Sequence, residues 1–362
     1  MVYSEIRGPE NRLTSQLLLL LRRKSDLRVT IKDVAKKVGV STATISNVIT
    51  GAKYVREDLK ERILHEMEVM GYQPNVIARS LKVNKTMRIG VIVPDITNPF
   101  FSDIIKRIDS IVSNDEYQLI VCNAEDDIKK EQKLFESFMK GGGVDGLIMI
   151  APRMGEEDFY STIPIPLIIV DRPAFYKSIN DTAYVYTDNY QGAALIANHF
   201  IDKGYEKFVC IAGPKSVPNA DLRYSGFVDT LIEKGIKQNN IIVVRGEFNF
   251  TSGYESMNKV LDSLDLKTTK PAFFVGNDIA AWGAIEAAKH RSLEIPKNLG
   301  IAGYDNIYFS NFIERGLTTV DNSTENMGKE AGTIMLKRLA SGKQMSRKQI
   351  MLDSLLIERN TV

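Results

Sequence analysis

From Arg88 onward, short apolar runs that read as strands alternate with amphipathic stretches that read as helices: RIGVIV, YQLIVC, DGLIMI, PLIIV, KFVCIAG, IIVVRG, PAFFVG and LGIAGY. Strands apolar along their whole length must be buried on both faces, and helical crossovers between parallel strands supply that cover. Doubly wound parallel sheets are therefore expected. Eight to ten strands exceed one comfortable sheet, and a near repeat of the strand-helix order begins at about Phe208. Two similar lobes follow, with any ligand held at the carboxyl ends of their strands.

Such alternation also suits a dinucleotide-binding enzyme, and GGGVDG at Gly141 to Gly146 satisfies G-x-G-x-x-G literally. These glycines follow a helical stretch and precede a strand, the reverse of the order that brings helical N-H groups to a pyrophosphate. They read as a helix stop and a turn. No Walker lysine loop occurs, and His65, His199 and His290 are too scattered to build a triad. Cys122 and Cys210 lie far apart, so neither a disulfide framework nor a zinc site is expected. No enzyme, no cofactor and no metal is the expectation, in a reducing cytoplasm. The apolar run Leu17 to Leu21 is far short of the roughly 20 residues of a membrane span, and no small-residue cleavage site follows it. Neither an export signal nor a membrane anchor is read.

The net charge of +2 is unevenly spread: residues 1–88 carry 17 Lys and Arg against 9 Asp and Glu, a balance of +8, which leaves −6 on the other 274 residues. A solvated basic surface would show the same bias, but its concentration in one small region suits contact with phosphates. Within it, Ile31, Val34, Ala35 and Val38 fall at helical spacing behind Thr30 and Asp33 as a cap, and Gly39 stops the helix. Ser41 opens a second helix with Ile45, Val48 and Ile49 as its buried stripe. Leu59, Ile63, Met67 and Met70 form the stripe of a third. The outward face of the second helix presents Thr42, Ala43, Ser46 and Asn47, groups small enough to approach base edges in a major groove. A plain helical hairpin in a larger bundle would share this pattern.

TIKDVAKKVGVSTATISNVITG followed by YQPNVIARSL resembles the DNA-binding head of the lac repressor/galactose repressor family, and the likeness continues along nearly the whole chain. The resemblance implies an N-terminal all-α helix-turn-helix head with a hinge helix, followed by an α/β core of two doubly wound lobes like the type I periplasmic binding proteins. It divides the chain into an extension of unassigned role (1–28), the head (29–73), a hinge (74–87) and an effector-binding and dimerisation core (88–362). Thr42, Ala43 and Asn47 match base-reading positions, and Thr44 and Ser46 match positions whose hydroxyls contact phosphates. Many members carry Arg or His in place of Asn47. In NVIARSL, Leu81 matches the lever that wedges into the minor groove, and Ala78 lets two hinges approach closely. Arg56 stands where relatives place a capping residue, so the third helix is expected to start poorly capped.

Polar residues gather at the predicted strand ends: Asp95, Asn98, Phe100 and Phe101 after the first, Asp171 and Arg172 after the fourth, then Arg223, Phe248, Asn277 and Asp278. Carboxylates and amides pair with vicinal hydroxyls, guanidinium groups span two oxygens, and rings cover the apolar face of a sugar. Each alone could equally be a helix cap or a core residue. By resemblance, Arg223, Phe248 and Asp278 match effector positions, and NPFF with Asp171 and Arg172 is most similar to ribose-binding proteins and ribose repressors. A monosaccharide effector, a pentose such as ribose, is implied. Asp305 in GYDN is a family hallmark whose role as ligand or loop brace stays open, and LTTVDNSTENMGKEA departs from the usual T-x-x-Q-P. The resemblance places three crossings between lobes near Thr187, Val320 and Met345. It implies a repressor of sugar-utilisation genes that binds a near-palindromic double-stranded DNA operator as a homodimer or higher oligomer. A sugar-capture protein of a transport system is the alternative, with the basic head and lack of an export signal against it.

Overall fold

The computed structural model describes residues 29–51, 53–72, 85–141, 143–153, 164–172, 182–215, 217–266, 269–342 and 348–362, in two compact units that divide after Asn84. The extension 1–28 and the hinge positions Ala78 and Leu81 lie outside the described residues.

The smaller unit contains α1 (Ile31–Val38), α2 (Thr42–Thr50) and α3 (Glu57–Val69). Val34, Ala35, Val38, Ile45, Ile63 and Met67 are its buried centre, with Leu59 and Met70 packed at the edge. Local chemistry sets the turns. The Asp33 carboxylate accepts from the Thr30 N-H and hydroxyl at 2.8 and 2.6 Å, and Gly39 closes α1 at φ 80°, a conformation that favours glycine. Ser41 Oγ accepts from Thr44 N at 3.1 Å to start α2. Arg56 caps nothing at the start of α3 and instead pairs with Asp58.

The larger unit holds two sheets. The first is formed by β1 (Arg88–Val93), β2 (Gln118–Asn123), β3 (Gly146–Ile150), β4 (Leu167–Val170), β5 (Thr182–Thr187) and β11 (Lys348–Leu352), all parallel, in the order β11-β5-β4-β3-β1-β2. Alternate residues serve opposite faces. Val91, Ile148 and Ile168 pack under α4 (Pro99–Val112) and α10 (Thr324–Ser341), while Ile92, Leu147 and Ile169 pack against α5 (Ile128–Gly141). GGGVDG begins with the last residue of α5 and ends with the first of β3.

The second sheet comprises β6 (Lys207–Ala212), β7 (Ile241–Arg245), β8 (Pro271–Val275) and β9 (Gly300–Ala302), in the order β7-β6-β8-β9. One face is covered by α6 (Asn189–Asp202) and α7 (Pro218–Glu233), the other by α8 (Phe250–Leu261) and α9 (Asp278–His290). Gly226 lets α7 approach α6 closely, since a Cβ there would stand 2.1 Å from the Tyr190 carbonyl oxygen. A small antiparallel pair, β10 (Thr319–Asp321) with β12 (Leu355–Ile357), belongs to the second lobe.

The chain passes between lobes after Thr187, after Asp321 and after Leu352. The third passage differs from the expectation near Met345, itself outside the described residues. β11 first extends the first sheet beside β5, and only then does the chain return to pair with β10. Among the described residues, no helix is long and apolar enough to cross a membrane.

Candidate functional site

The carboxyl ends of both parallel sheets open onto one cavity of about 200 Å³. From the first lobe it is lined by Asp95, Asn98, Phe100 and Phe101 beyond β1, Asp126 beyond β2, Arg153 beyond β3, and Asp171 and Arg172 beyond β4. The second lobe contributes Asn219 and Arg223 from α7, Phe248 beyond β7, Asn277 beyond β8 and Asp305 beyond β9. Each strand ends where its last backbone groups leave the sheet, so polar side chains converge there without breaking a core.

Arg223 is the most constrained of these. Its Nε donates to Asn189 Oδ1 at 2.7 Å, one terminal nitrogen to the Gly276 carbonyl at 2.7 Å, and the other to Asp305 Oδ1 at 3.0 Å. The guanidinium stacks 3.8 Å from the Tyr304 ring centroid. Three of its five N-H groups are used in these bonds. The Phe248 ring lies over Gly213 and Gly276, where a Cβ would stand 2.3 and 2.9 Å from it. Any larger residue at either glycine would displace that ring.

Asp171 and Arg172 form a buried ion pair at 2.9 Å. Arg172 Nε and Asn219 Oδ1 are buried without a hydrogen-bond partner among the described residues. One donor and one acceptor, on residues of opposite lobes that both line the cavity, are thus unpaired among the described residues. Burial pushes Asp171 up and Arg172 down from their ordinary ranges. Asp305 is pushed up to about 7 by burial, against the pull of Arg223 and with further upward pressure from Asp278 and Asp171. Isolated charges would not survive here, and each is held by a partner of opposite sign.

Eight of the nine effector positions expected from sequence line the cavity: Asn98, Phe100, Phe101, Asp171, Arg172, Arg223, Phe248 and Asn277. Their duties differ. Asn98 and Asn277 cap α4 and α9 through Phe100 N and Ala280 N, and Phe100 belongs mainly to the first-lobe core. Asp278 is a correction. It does not line the cavity, because its carboxylate is turned inward to accept from Ile307 N at 3.0 Å, Ser310 Oγ at 2.6 Å and Thr319 Oγ1 at 2.6 Å. Asp305, left open by the sequence, faces the cavity instead. Sequence reasoning also missed Asn189, Asn219 and Asn322. Asn322 Nδ2 donates to Asp305 Oδ1 at 3.2 Å and Asn322 Oδ1 accepts from Thr187 Oγ1, so both of the first two inter-lobe passages touch the site. Its only signal was the departure of LTTVDNSTENM from the family pattern.

In the head, Thr42 and Ala43 are exposed on the first turn of α2, and Thr44, Ser46 and Asn47 are half-buried along the same helix. The Thr44 hydroxyl lies 2.9 Å from Ser41 Oγ within the cap. Lys32, Lys36 and Lys37 stand exposed on α1, a basic flank beside a helix whose own outer face is uncharged.

Comparison with known proteins supplies relatives for both units. Residues 30–75 match the model for bacterial regulatory proteins of the lacI family, and residues 197–362 match that for a periplasmic binding protein-like domain. The HTH-type transcriptional repressor PurR of Pasteurella multocida (strain Pm70) is 33% identical over 336 residues, covering 92% of this chain and 98% of that protein. The lac repressor dimer bound to operator and the anti-inducer ONPF superposes with a TM-score of 0.80 at 23% identity, covering 92% of this chain and 98% of that one. A lacI-family transcriptional regulator from Enterococcus faecium with bound ribose gives a TM-score of 0.66 at 28% identity, over 76% of this chain and 98% of the other.

Proposed function

The chain belongs to the lacI family of bacterial regulatory proteins and is a DNA-binding transcriptional repressor, and on that premise we propose that its operator binding is controlled by a small uncharged sugar held between the core lobes. The observation that carries this reading is the convergence of two guanidinium groups and two carboxylates, Arg172 with Asp171 and Arg223 with Asp305, on a cavity of about 200 Å³. That volume is small beside the roughly 300–1,000 Å³ of sites for drug-sized ligands, and suits a monosaccharide. Vicinal hydroxyls both donate and accept, which is what paired carboxylate and guanidinium edges require. Phe101 and Phe248 supply apolar cover on opposite sides.

The charge of the lining argues against a phosphorylated sugar. Asp95, Asp126, Asp171, Glu247 and Asp305 outnumber Arg153, Arg172 and Arg223, and Arg153 is already paired with Asp126 at 3.4 Å. Arg172 and Arg223 are paired as well, with Asp171 and Asp305, so a phosphate would find each lining arginine already engaged by a carboxylate. The bound ribose of the Enterococcus faecium regulator favours a pentose and, with it, control of sugar-utilisation genes. The operator is a near-palindrome read by a homodimer, because one three-helix head makes too few base contacts for useful specificity. Tyr308, Phe309 and Phe312, an exposed aromatic group on the core, support self-association.

Calorimetric titration of the full chain with D-ribose, other neutral sugars, ribose 5-phosphate and purine bases tests the effector class. Saturable heat with an unphosphorylated pentose is expected. Binding of only the phosphate ester or only a purine base would overturn the reading.

A further inference from the structure

Asp305 reaches the cleft from an unfavourable backbone. It sits at φ 113° and Asn306 at φ 52°, two consecutive non-glycine residues in the left-handed half of conformational space. Such a segment persists only when its surroundings hold it. The hold is centred on one buried carboxylate. Asp278, at the start of α9, accepts from the Ile307 N-H and the Ser310 hydroxyl on the far side of the strained pair, and from the Thr319 hydroxyl on β10. Its own N-H donates to the Tyr304 carbonyl at 2.8 Å, just before the pair. Gly303 makes room for this carboxylate, since a Cβ there would stand 2.1 Å from Asp278 Oδ1.

The same clamp reaches the seam between lobes. Ile307 is 2% exposed and belongs to the first-lobe core cluster with Phe100, and Ile279, next to Asp278, packs against that cluster too. Fixing Ile307 N therefore fixes both where Asp305 points and where the second lobe meets the first.

We propose that Asp278 is a positioning residue for effector recognition: by clamping residues 304–310 it aims Asp305 into the cleft and seats Ile307 against the first lobe. The proposal rests on the reading of the cleft as the effector site. It gives Asp278 a role without ligand contact, which the sequence could not separate from a direct one.

Charge supplies a readout that a purely structural brace would not move. The groups facing Asp305 are Arg223 from α7, Asp171 from the end of β4 and Asp278 from α9, while Arg359 is the cation near Asp278. The Asp278 charge helps to raise Asp305, so its removal should lower the pH at which Asp305 ionises.

The test uses the full chain as wild type, Asp278→Asn, Thr319→Val and Ser310→Ala, with two measurements. Amide hydrogen exchange is followed without ligand, and D-ribose affinity is measured by calorimetry from pH 5.5 to 8.5. Asp278→Asn should exchange faster across residues 303–312 with β1 unchanged, bind D-ribose about tenfold or more weakly, and shift the midpoint of its pH dependence downward. The two hydroxyl variants should show smaller losses of the same kind, and they carry the decision if Asp278→Asn does not fold. Unchanged exchange in residues 303–312, or weakened affinity with an unmoved pH midpoint, would overturn the proposal. If the wild type gives no heat with D-ribose, the effector reading fails, and hydrogen exchange alone then decides the clamp.

Discussion

Asn219 Nδ2 reaches across the cleft to Asp171, 3.0 Å from its carbonyl oxygen and 3.1 Å from Oδ1. One amide on the second lobe thus ties directly to the first, while its own Oδ1 stays without a partner among the described residues. Buried hydrogen bonds to a charged group contribute about 1.5–3 kcal/mol. Asn219→Ala should therefore open the ligand-free lobes, read as a larger radius of gyration in small-angle scattering. An unchanged scattering curve would mean that the seam at Ile279 and Ile307 holds the lobes unaided.

Stability should depend on pH through Asp278, which burial pushes up to about 6 from an ordinary 3.8, against its bonds to Ser310, Thr319 and the Ile307 N-H. The folded state then binds more protons than the unfolded state across that interval. Its contribution is fully present below about pH 4 and is lost as pH rises through about 6. Asp278→Asn, neutral throughout, removes that slope, so urea unfolding should show the wild type losing ground to the variant between pH 4 and 6. Parallel curves would place the titration elsewhere.

Asn47 on α2, matched by resemblance to a base-reading position, has a side chain that can pair with adenine through two hydrogen bonds, whereas arginine favours guanine. Asn47→Arg should move one position of each half-site from A·T toward G·C, with discrimination of about 1–3 kcal/mol. Selection from random duplexes reads the change, and an unaltered preferred site would remove Asn47 from base recognition.

Leu81, matched by resemblance to a minor-groove wedge, separates kinking from phosphate attraction. Leu81→Ala should weaken operator binding far more than binding to random DNA, with the salt slope unchanged, because leucine neutralises no phosphate. Gel shifts on both duplexes at several salt concentrations decide it. Equal losses would return Leu81 to an ordinary linker role.

The period of the apolar residues makes both units legible in the amino-acid sequence itself. RIGVIV and PAFFVG read as strands covered on both faces, and Val34, Ala35 and Val38 as one side of a short helix. Strand ends then pointed to the cavity, because position along a strand fixes where polar groups emerge. Direction was the part that sequence could not supply. Asn277 and Asp278 are adjacent, yet the first lines the cleft and the second faces away, because Asn277 is the extended cap residue and the backbone turns into the helix only at Asp278. Asn219 and Asn322 were missed for a related reason: each acts through a partner 48 or 17 positions away, Asp171 and Asp305 respectively.

Operator affinity with and without sugar tests the central claim most directly. Fluorescence anisotropy of the full chain on a palindromic duplex selected from random sequence should show affinity shifting on addition of saturating D-ribose, within the roughly 5–150-fold range of allosteric coupling. Asp305→Asn should abolish the shift while still binding the duplex. Operator affinity indifferent to every neutral monosaccharide, but responsive to a purine base or a phosphorylated sugar, would contradict it.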